Sequence, residues 1–387
     1  MKKIKDFEFK NKKVLVREDF NVPQDKEGNI LDNFRIESSL PTIEYLKKQK
    51  ARIILMSHLN DPLEEKNPQK YTLKPIAKEL EKILKTKIKF LSDCVGKKVE
   101  EEIKKMKPGE ICLLENLRFH KEETSNNSEF SKNLAKLGDI FINDAFSTCH
   151  RAHASIVGIT KFLPKAAGLS LEKEINALSK IKEKPRRPLV VIMGGKKSAK
   201  IESLHKFLEM ADFILLNGFL SLDILMAKGI LIVDSLSPEK EIVEVVKDIN
   251  LTNPKIHLPK DVIFSLKDDW SYRRIGGLGT IKKEEEIFDI GPETIDIYSE
   301  IVKKAGTIFL AGPLGYFEVD KFENGTREVG EKIVRNYKAF KFAGGGDTIV
   351  ALRKFKWLDK FDYISTGGSA MLQYLSGEKL PGIEALE

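Results

Sequence analysis

The segment 340–375 most constrains the fold, because an apolar run, a glycine cluster and a helical run follow one another twice within it. The apolar runs are residues 340–343 and 361–365, the glycine clusters 344–348 and 366–370, and the helical runs 349–355 and 371–375. Glycine leaves backbone N–H groups unobstructed by a Cβ, and a helix start adds free donors and a positive dipole end. Each junction is therefore typical of a strand-to-helix turn that binds phosphate.

A third junction of the same form follows the apolar run 189–193. Gly194 and Gly195 are followed by lysines at 196, 197 and 200 and then by a helical run from Ile201. None of the three junctions is a G-x-x-x-x-G-K-[ST] loop or a clean G-x-G-x-x-G loop. One such junction alone would fit an ordinary tight α/β connection. Three of them in one half of the chain, with lysines and Asp347, predict a site for a polyphosphate.

The bulk composition indicates a soluble protein of two domains. A chain of 387 residues exceeds what one hydrophobic core usually holds. The hydrophobic share of 41% and the charged share of 32% are typical of globular rather than disordered chains. No apolar run approaches a membrane span, and the basic start of the chain lacks the apolar core of an export signal. We therefore expect a cytoplasmic protein that does not bind a membrane.

The cysteines and the net charge narrow the function classes further. Cys94, Cys112 and Cys149 show no metal-site spacing, and the six histidines form no metal motif, so a reducing compartment is expected. The formal net charge of +8 favours attraction of anionic small molecules. Binding of nucleic acid is the alternative, but no nucleic-acid motif accompanies the charge.

In the first half of the chain, buried strands alternate with helices, and polar residues gather just after the strand ends. This is the doubly wound α/β pattern, in which ligands bind beyond the carboxyl ends of the strands. The polar residues that fall there are Asp19, Asn21, Arg35, His58, Arg118 and Arg151. Three arginines in one crevice predict an anion held by bidentate hydrogen bonds, whereas each arginine alone would fit a surface salt bridge.

The second half resumes the same alternation after a break at residues 184–188, where we place the domain boundary. Strands are expected at 213–216, 231–233 and 308–310, and residues 265–287 fit no clear element. One crevice is thus rich in arginine and the other in glycine–lysine junctions. That division predicts two anionic ligands and favours phosphoryl transfer, where catalysis is mostly positioning and charge neutralisation.

The chain resembles the phosphoglycerate kinase family along nearly its whole length, in the family's order of motifs. The matching segments are VLVREDFNVP (14–23), RIESSLPTIEYL (35–46), ILMSHL (54–59), LLENLRFHKEE (113–123), GDIFINDAFSTCHRAHASIVGI (138–159), DIGPETI (289–295), GPLGYFE (312–318), GGGDT (344–348), ISTGG (364–368) and LPGIEAL (380–386). The resemblance implies reversible phosphoryl transfer in glycolysis, from 1,3-bisphosphoglycerate to ADP, giving 3-phosphoglycerate and ATP with Mg²⁺. It also implies a monomer.

The resemblance implies two doubly wound parallel-sheet, Rossmann-like domains joined by a helix, with a cleft between them. A triose domain, 1–168, would carry the C-terminal tail 376–387 packed back on it, and a linker helix, 169–184, would lead to a nucleotide domain, 185–375. The triose would be held by Asp19, Asn21, Arg35, His58, Arg118 and Arg151. The nucleotide would be held by Gly194, Gly195, Lys200, Pro313, Glu318, Gly345, Gly346, Asp347 and Thr348, with Mg²⁺ at Asp347. Catalytic roles would fall to Arg35, Lys197, Lys200, Gly367 and Gly368.

The chain departs from the family pattern at several of these positions. Asp61 stands where the family has an arginine that faces the substrate, and Ala199 stands where it has an aspartate. The loop that holds Lys197 is one residue shorter, an asparagine is replaced by Ala311, and Ile287 replaces a glycine under the adenine. Two interpretations follow: a working kinase with a reshaped adenine pocket, or an impaired family member that acts as a binding or scaffold protein.

Overall fold

The computed structural model describes residues 1–195, 198–233 and 240–387, and only the backbone at 198–200, 240 and 241. The chain forms two units, one of Met1–Asn176 with Glu378–Glu387 and the other of Ala177–Gly377. The boundary between the units falls within one helix, Leu169–Lys182. The prediction of two parallel-sheet α/β units is confirmed. Among the described residues, no helix combines the length and apolarity needed to cross a bilayer.

The first unit is built on a sheet of six parallel strands in the order β3-β4-β2-β1-β5-β6. The strands are β1 Lys13–Arg17, β2 Arg52–Met56, β3 Ile88–Phe90, β4 Ile111–Leu113, β5 Ile140–Asn143 and β6 Lys165–Ala167. The helices are α1 Phe34–Lys48, α2 Lys74–Leu84, α3 Lys97–Lys104, α4 Lys121–Thr124 and α5 Ser128–Ala135, with α6 Leu169–Lys182 at the boundary. Since all strands are parallel, their carboxyl ends share one edge of the sheet.

Helical spacing places the apolar side of α1 against this sheet. Ile36, Ile43 and Leu46 are fully buried in one hydrophobic cluster with Val14 of β1 and Ile53 of β2. The start of α1 is thereby held beside the carboxyl end of β1, which positions the polar residues described below.

The C-terminal segment Glu378–Glu387 belongs to the first unit. Gly382, in the short helix Pro381–Glu384, donates from its backbone N–H to the carbonyl of Cys149 at 2.8 Å. A Cβ at Gly382 would lie 2.7 Å from Ile156 Cγ2 and 2.8 Å from Cys149 Cα, so only glycine fits this close approach.

The second unit contains another sheet of six parallel strands, in the order β15-β14-β13-β7-β8-β9, and a small antiparallel sheet, β11-β10-β12. The strands are β7 Leu189–Met193, β8 Phe213–Leu216, β9 Ile256–His257, β10 Val262–Leu266, β11 Arg274–Gly276, β12 Glu285–Ile290, β13 Thr307–Ala311, β14 Phe340–Gly344 and β15 Tyr363–Ser365. The helices are α7 Leu204–Met210, α8 Gly218–Ala227, α9 Lys240–Val246, α10 Pro292–Lys304, α11 Asn324–Arg335, α12 Gly346–Lys354 and α13 Ser369–Leu375.

Two expectations about the second unit were wrong. Residues 231–233 form no strand: Ile232 is exposed, and the edge of β8 pairs with β9 instead. The segment 265–287, which fits no element by pattern, contains β11 and also supplies the end of β10 and the start of β12 in the antiparallel sheet. Its strands depend on pairing with β10, a contact between residues distant in the chain that local periodicity does not report.

Candidate active site

In the first unit, all six polar residues singled out in the sequence lie near the carboxyl edge of the sheet. Asp19 and Asn21 follow β1, His58 follows β2, Arg118 follows β4 and Arg151 follows β5, while Arg35 lies in the first turn of α1. Both buried histidines nearby, His58 and His153, have pKa values lowered by burial and also by Arg118, Arg17 and Arg151. Both histidines therefore lie within the electrostatic influence of Arg17, Arg118 and Arg151.

Arg35 is oriented by the carboxylate of Asp19. The Arg35 guanidinium is hydrogen-bonded and ion-paired to Asp19 Oδ2, which also accepts a hydrogen bond from Ser147 Oγ. Asp19 Oδ1 accepts from the backbone N–H of Asn21 at 3.0 Å. The Arg35 side chain remains 30% exposed. Its charge is therefore held in place while one side stays open to a ligand.

Arg118 is the most buried of the three predicted anion-binding arginines, with 4% of its side chain exposed. Its Nη1 donates to the carbonyl of Asn60 at 2.8 Å and to Asp61 Oδ1 at 2.5 Å. Burial lowers the pKa of Arg118 to about 10, against the opposing influence of Asp61. Asn116 fixes the local backbone, because its Oδ1 accepts from the N–H of Arg118 at 3.1 Å.

His58 is neutral and its tautomer is set by Arg17. His58 is 4% exposed, and its Nδ1 lies 3.2 Å from Nη2 of the fully buried Arg17. Burial first, and then the nearby arginines, hold the pKa of His58 well below its ordinary value. Because a guanidinium has no acceptor, Nδ1 must accept and the ring proton lies on Nε2. His58 thus keeps its Nε2–H as a hydrogen-bond donor.

Arg151 is the exposed cation of this group. Its Nε lies 3.2 Å from His150 Nε2, and no described carboxylate lies within ion-pair distance of its side chain. An exposed guanidinium without a carboxylate partner is suited to a soluble anionic ligand.

Sequence reasoning missed the buried support beneath this edge. Arg17 donates to Ser155 Oγ at 2.9 Å, and the fully buried Glu123 accepts from the N–H and Oγ of Ser155 at 2.9 and 2.6 Å. One signal was present in the sequence: Arg17 stands two residues before Asp19, and alternate residues of an extended segment point to the same side. The sequence around a charged residue in a buried strand does not, however, indicate what that residue contacts.

The second unit contains a cavity of about 230 Å³ at the carboxyl ends of its parallel strands. Four of the residues predicted to hold the nucleotide line it: Gly195, Pro313, Glu318 and Asp347. The other lining residues are Asn217, Phe219, Ile287, Phe288, Leu314, Gly315 and Tyr316. The cavity therefore combines an apolar wall with two carboxylates and a glycine turn, as expected of a small-molecule site.

The turn at Gly194 and Gly195 is packed against Pro313. Gly195 donates its N–H to the carbonyl of Pro313 at 2.9 Å and has φ +87°. A Cβ at Gly194 would lie 1.9 Å from that carbonyl oxygen. Both positions therefore require glycine, one for close approach and one for its backbone conformation.

The GGGDT segment forms the start of α12. Gly345 has φ +103° and precedes the helix, and Thr348 Oγ1 donates to the carbonyl of Gly344 at 2.8 Å. No side chain caps this helix end at Gly345. The N–H groups of Gly346 and Asp347 belong to its first turn, where the helix dipole is positive. Asp347 is exposed and lines the cavity, so this helix start lies at the cavity wall.

Gly367 and Gly368 follow β15, which pairs with β14 in the same sheet. Gly367 donates its N–H to Ser365 Oγ at 2.9 Å, and Gly368, with φ +51°, leads into α13. They do not line the cavity. Of the two predicted lysines, Lys197 lies outside the described residues, and the backbone of Lys200 falls in a 3-10 helix, Ser198–Ser203.

Aromatic side chains shape the cavity wall in a way that pattern reading missed. Phe288 and Tyr316 line the cavity with ring centroids 6.0 Å apart, and Trp270 lies 6.1 Å from Tyr316. Tyr316 stands in the GPLGYFE motif two residues before Glu318, which was the available signal. No such signal was available for Phe288, because its strand, β12, is defined by pairing with β10, which is distant in the sequence.

The comparisons with known proteins agree over the full chain. The family model described as phosphoglycerate kinase matches residues 4–378. The phosphoglycerate kinase of Coprothermobacter proteolyticus is 42% identical over 391 residues, covering 100% of this chain and 98% of that protein. The phosphoglycerate kinase of Aquifex aeolicus is 40% identical over 403 residues, covering 100% of this chain and 98% of that protein.

Solved structures give the same result. The phosphoglycerate kinase of Pyrococcus horikoshii has a TM-score of 0.85 to this chain at 33% identity. That of Coxiella burnetii has a TM-score of 0.83 at 36% identity. Each comparison covers 100% of this chain and 98% of the other.

Proposed function

Since the chain belongs to the phosphoglycerate kinase family, we propose that the arginine-rich edge of the first unit holds the triose and the cavity of the second unit holds the nucleotide. The chain is thus a phosphotransferase, which converts 1,3-bisphosphoglycerate and ADP reversibly into 3-phosphoglycerate and ATP. The observation that carries this assignment is the convergence of Arg35, Arg118 and Arg151 at one sheet edge. The alternative of an impaired scaffold protein is not favoured, because the similarity extends over the whole chain.

The triose binds through its anionic groups. Arg118 and Arg151 offer guanidinium groups, and the Nε2–H of His58 offers a neutral donor beside them. Asn21 positions the loop at Asn60, whose N–H donates to Asn21 Oδ1 at 3.0 Å and whose carbonyl accepts from Arg118. Asp19 orients Arg35, and its carboxylate accepts a hydrogen bond from the hydroxyl of the triose rather than contacting an anionic group, which it repels.

Arg35 neutralises the phosphoryl group in transit. In the direction of ATP formation, a terminal oxygen of ADP forms the new P–O bond while the P–O bond to the glycerate carboxylate breaks. The leaving carboxylate is a stable anion at neutral pH and needs no general acid. Catalysis therefore rests on positioning and on positive charge at the transferring group.

The nucleotide phosphates lie at the glycine turn and the start of α12. Gly194, Gly195 and Gly346 leave backbone close to the ligand, and Thr348 braces the turn through its bond to Gly344. Glu318, exposed at the cavity wall, accepts hydrogen bonds from the ribose hydroxyls. Ile287 and Phe219 contact the base. The helix start at Gly367 and Gly368, with Lys197 and Lys200, completes the charge neutralisation by the family's pattern.

Mg²⁺ fits the donor set at Asp347. Mg²⁺ is usually held by one or two carboxylates together with substrate phosphates and water, and Asp347 is an exposed carboxylate on the cavity wall. When bound, the ion neutralises charge on the nucleotide phosphates. Asp347 orients it from the first turn of α12.

The protein works as a cytoplasmic monomer in this proposal. All three cysteines are free and buried, which suits a reducing compartment. Sedimentation equilibrium of the purified chain tests the monomer, and the mass of a dimer would contradict it.

A coupled assay with Mg²⁺, ATP and 3-phosphoglycerate, repeated with GTP, tests the function. We expect turnover that depends on 3-phosphoglycerate and falls by about 100-fold or more in Arg35→Ala. Lys48→Ala, an exposed cation at the end of the same helix, should retain turnover. No turnover from folded wild-type protein would contradict the activity, and near wild-type kcat in Arg35→Ala would remove Arg35 from the mechanism.

A further inference from the structure

Three chemically different metal-ligand side chains meet in the first unit, and none of them is among the residues proposed to bind the triose. Asp93, Cys94 and His120 each bring one ligand atom to within 4.8 Å of the others. Asp93 is exposed, His120 is partly exposed and Cys94 is buried. The group thus has a buried thiol beneath a carboxylate and an imidazole that solvent reaches.

The fold brings these residues together through two neighbouring strands. Asp93 and Cys94 follow β3, and His120 follows β4 and the 3-10 helix Leu117–Phe119. β3 pairs with β4 in parallel, so the loops after both strands begin at the same edge. In the sequence the ligands are split into a pair and a distant single residue, which matches no familiar metal-site spacing.

Contacts already fix the three donors in position. His120 Nε2 lies 2.7 Å from Asp93 Oδ1, and Cys94 Sγ lies 2.9 Å from the carbonyl oxygen of Glu115. The His120 ring packs on Phe130 with centroids 5.1 Å apart. Little side-chain freedom would be lost when the donors bind an ion, which favours affinity.

We propose that Asp93, Cys94 and His120 form a binding site for one Zn²⁺ ion or a similar borderline-soft divalent cation. Thiolate, imidazole and carboxylate are the three side-chain ligands of Zn²⁺, and water would complete a tetrahedron. Mg²⁺ prefers oxygen ligands, so this site is distinct in chemistry from the nucleotide-bound ion.

Ligation requires changes in geometry and protonation, since the ligand atoms now lie up to 4.8 Å apart and the Cys94 thiol donates to the Glu115 carbonyl. Zn²⁺ bonds to nitrogen and oxygen of about 2.0–2.1 Å in a tetrahedron require the two ligand atoms to separate to about 3.3 Å. His120 Nε2 and Asp93 Oδ1, now in hydrogen-bond contact, would therefore move slightly apart. The thiol proton leaves to solvent, the hydrogen bond from Cys94 to the Glu115 carbonyl breaks, and the thiolate turns to the ion. The imidazole binds through Nε2 with its proton on Nδ1.

The site lies on the same segment as a residue of the triose site. His120 follows Arg118 by two residues, and Asn116 Oδ1 contacts the N–H of Arg118 at 3.1 Å. A bound ion would tie the loop after β3 to this segment and stabilise the first unit against unfolding, because it binds the folded chain alone.

Titration with Co²⁺ tests the proposal in tag-free protein kept reduced without added thiols, with Mg²⁺ in excess and no nucleotide. We expect one Co²⁺ per chain and a thiolate-to-cobalt charge-transfer band. Cys94→Ser should abolish the band and weaken binding by at least about tenfold. Cys112→Ser, which removes another buried thiol, should leave both unchanged.

The outcomes distinguish binding of Co²⁺ at the proposed site from binding of Co²⁺ elsewhere on the protein. Circular dichroism establishes that each variant is folded, and His120→Gln serves as the second variant, since His120 is partly exposed and should tolerate substitution. We expect His120→Gln also to weaken binding by at least about tenfold. No charge-transfer band in folded wild-type protein, or a band that persists in Cys94→Ser or is unchanged in His120→Gln, would overturn the site.

Discussion

Asp61 is ion-paired with Arg118 at 2.5 Å, and the two partners differ sharply in exposure: 51% for the Asp61 side chain and 4% for the Arg118 side chain. Arg118 thus turns its guanidinium toward a carboxylate that solvent reaches. In the proposed function, an anionic substrate must compete with Asp61 for this guanidinium. Asp61 stands where the family resemblance places an arginine, so a carboxylate that competes with the substrate for Arg118 replaces a cation that would attract the substrate.

Asp61→Asn should strengthen triose binding. Because half of the Asp61 side chain is exposed, solvent screens its pair with Arg118, which contributes about 0–1 kcal/mol. The KM for 3-phosphoglycerate should therefore fall by up to about fivefold with kcat nearly unchanged. Steady-state kinetics at low salt measures this. Glu64→Gln removes a like charge from the same loop and serves as the control. A KM equal to that of the control or higher would contradict competition by Asp61.

Gly194→Ala should disable the nucleotide site. The new Cβ would lie 1.9 Å from the Pro313 carbonyl oxygen, so the turn must move away and the 2.9 Å bond from Gly195 to Pro313 must break. Calorimetric titration should show Mg-ADP affinity reduced by at least about tenfold, with 3-phosphoglycerate affinity retained. Gly279→Ala, where a Cβ meets open space, is the control. Equal ADP affinity in both variants would show that the close approach is not needed.

Gly218 and Ile287 should be energetically coupled. A Cβ at Gly218 would lie 2.6 Å from Ile287 Cγ2 and 2.9 Å from Val262 Cγ1. Gly218→Ala should therefore cost about 1–3 kcal/mol of unfolding free energy, and Ile287→Ala about 2–5 kcal/mol. The double variant should lose less than the sum by at least about 0.5 kcal/mol in urea unfolding. If the two losses of unfolding free energy were strictly additive, the backbone at residue 218 would have moved to admit the new Cβ, and contact with the Ile287 side chain would not be the cause of the loss.

His153 should make the protein sensitive to acid. Burial, and then Arg118 and the other nearby cations, lowers the pKa of His153 to about 3, whereas an unfolded histidine has a pKa of about 6.5. The unfolded chain therefore binds the proton first, so this contribution to stability is present above about pH 6.5 and is lost as the pH falls toward 3. In His153→Gln, the urea midpoint should decline less between about pH 7 and about pH 4.5 than in wild type. Parallel declines would exclude His153 as a contributor.

The alternation of apolar strands and helices was readable from the sequence because parallel strands buried on both faces are apolar throughout. All five residues of Leu189–Met193, for example, are buried. The polar groups after the strand ends were readable for a related reason, since the chain order of a doubly wound sheet brings those ends to one edge. The tight junction at Gly194 was also predictable from the sequence, because a close backbone approach of this kind admits only glycine.

What the sequence by itself determined was therefore the repeated strand–helix unit, the two-unit organisation and the residue types at the carboxyl edges of the parallel sheets. Tertiary structure alone decided which charges meet: Asp61 with Arg118, Arg17 with His58, and Asp93 and Cys94 with His120. It also decided that the segment 265–287 pairs as an antiparallel sheet. The physical reason is that periodicity reports the burial of each residue relative to its chain neighbours. Ion pairs, ligand sets and strand partners instead depend on distances between residues that the chain keeps far apart.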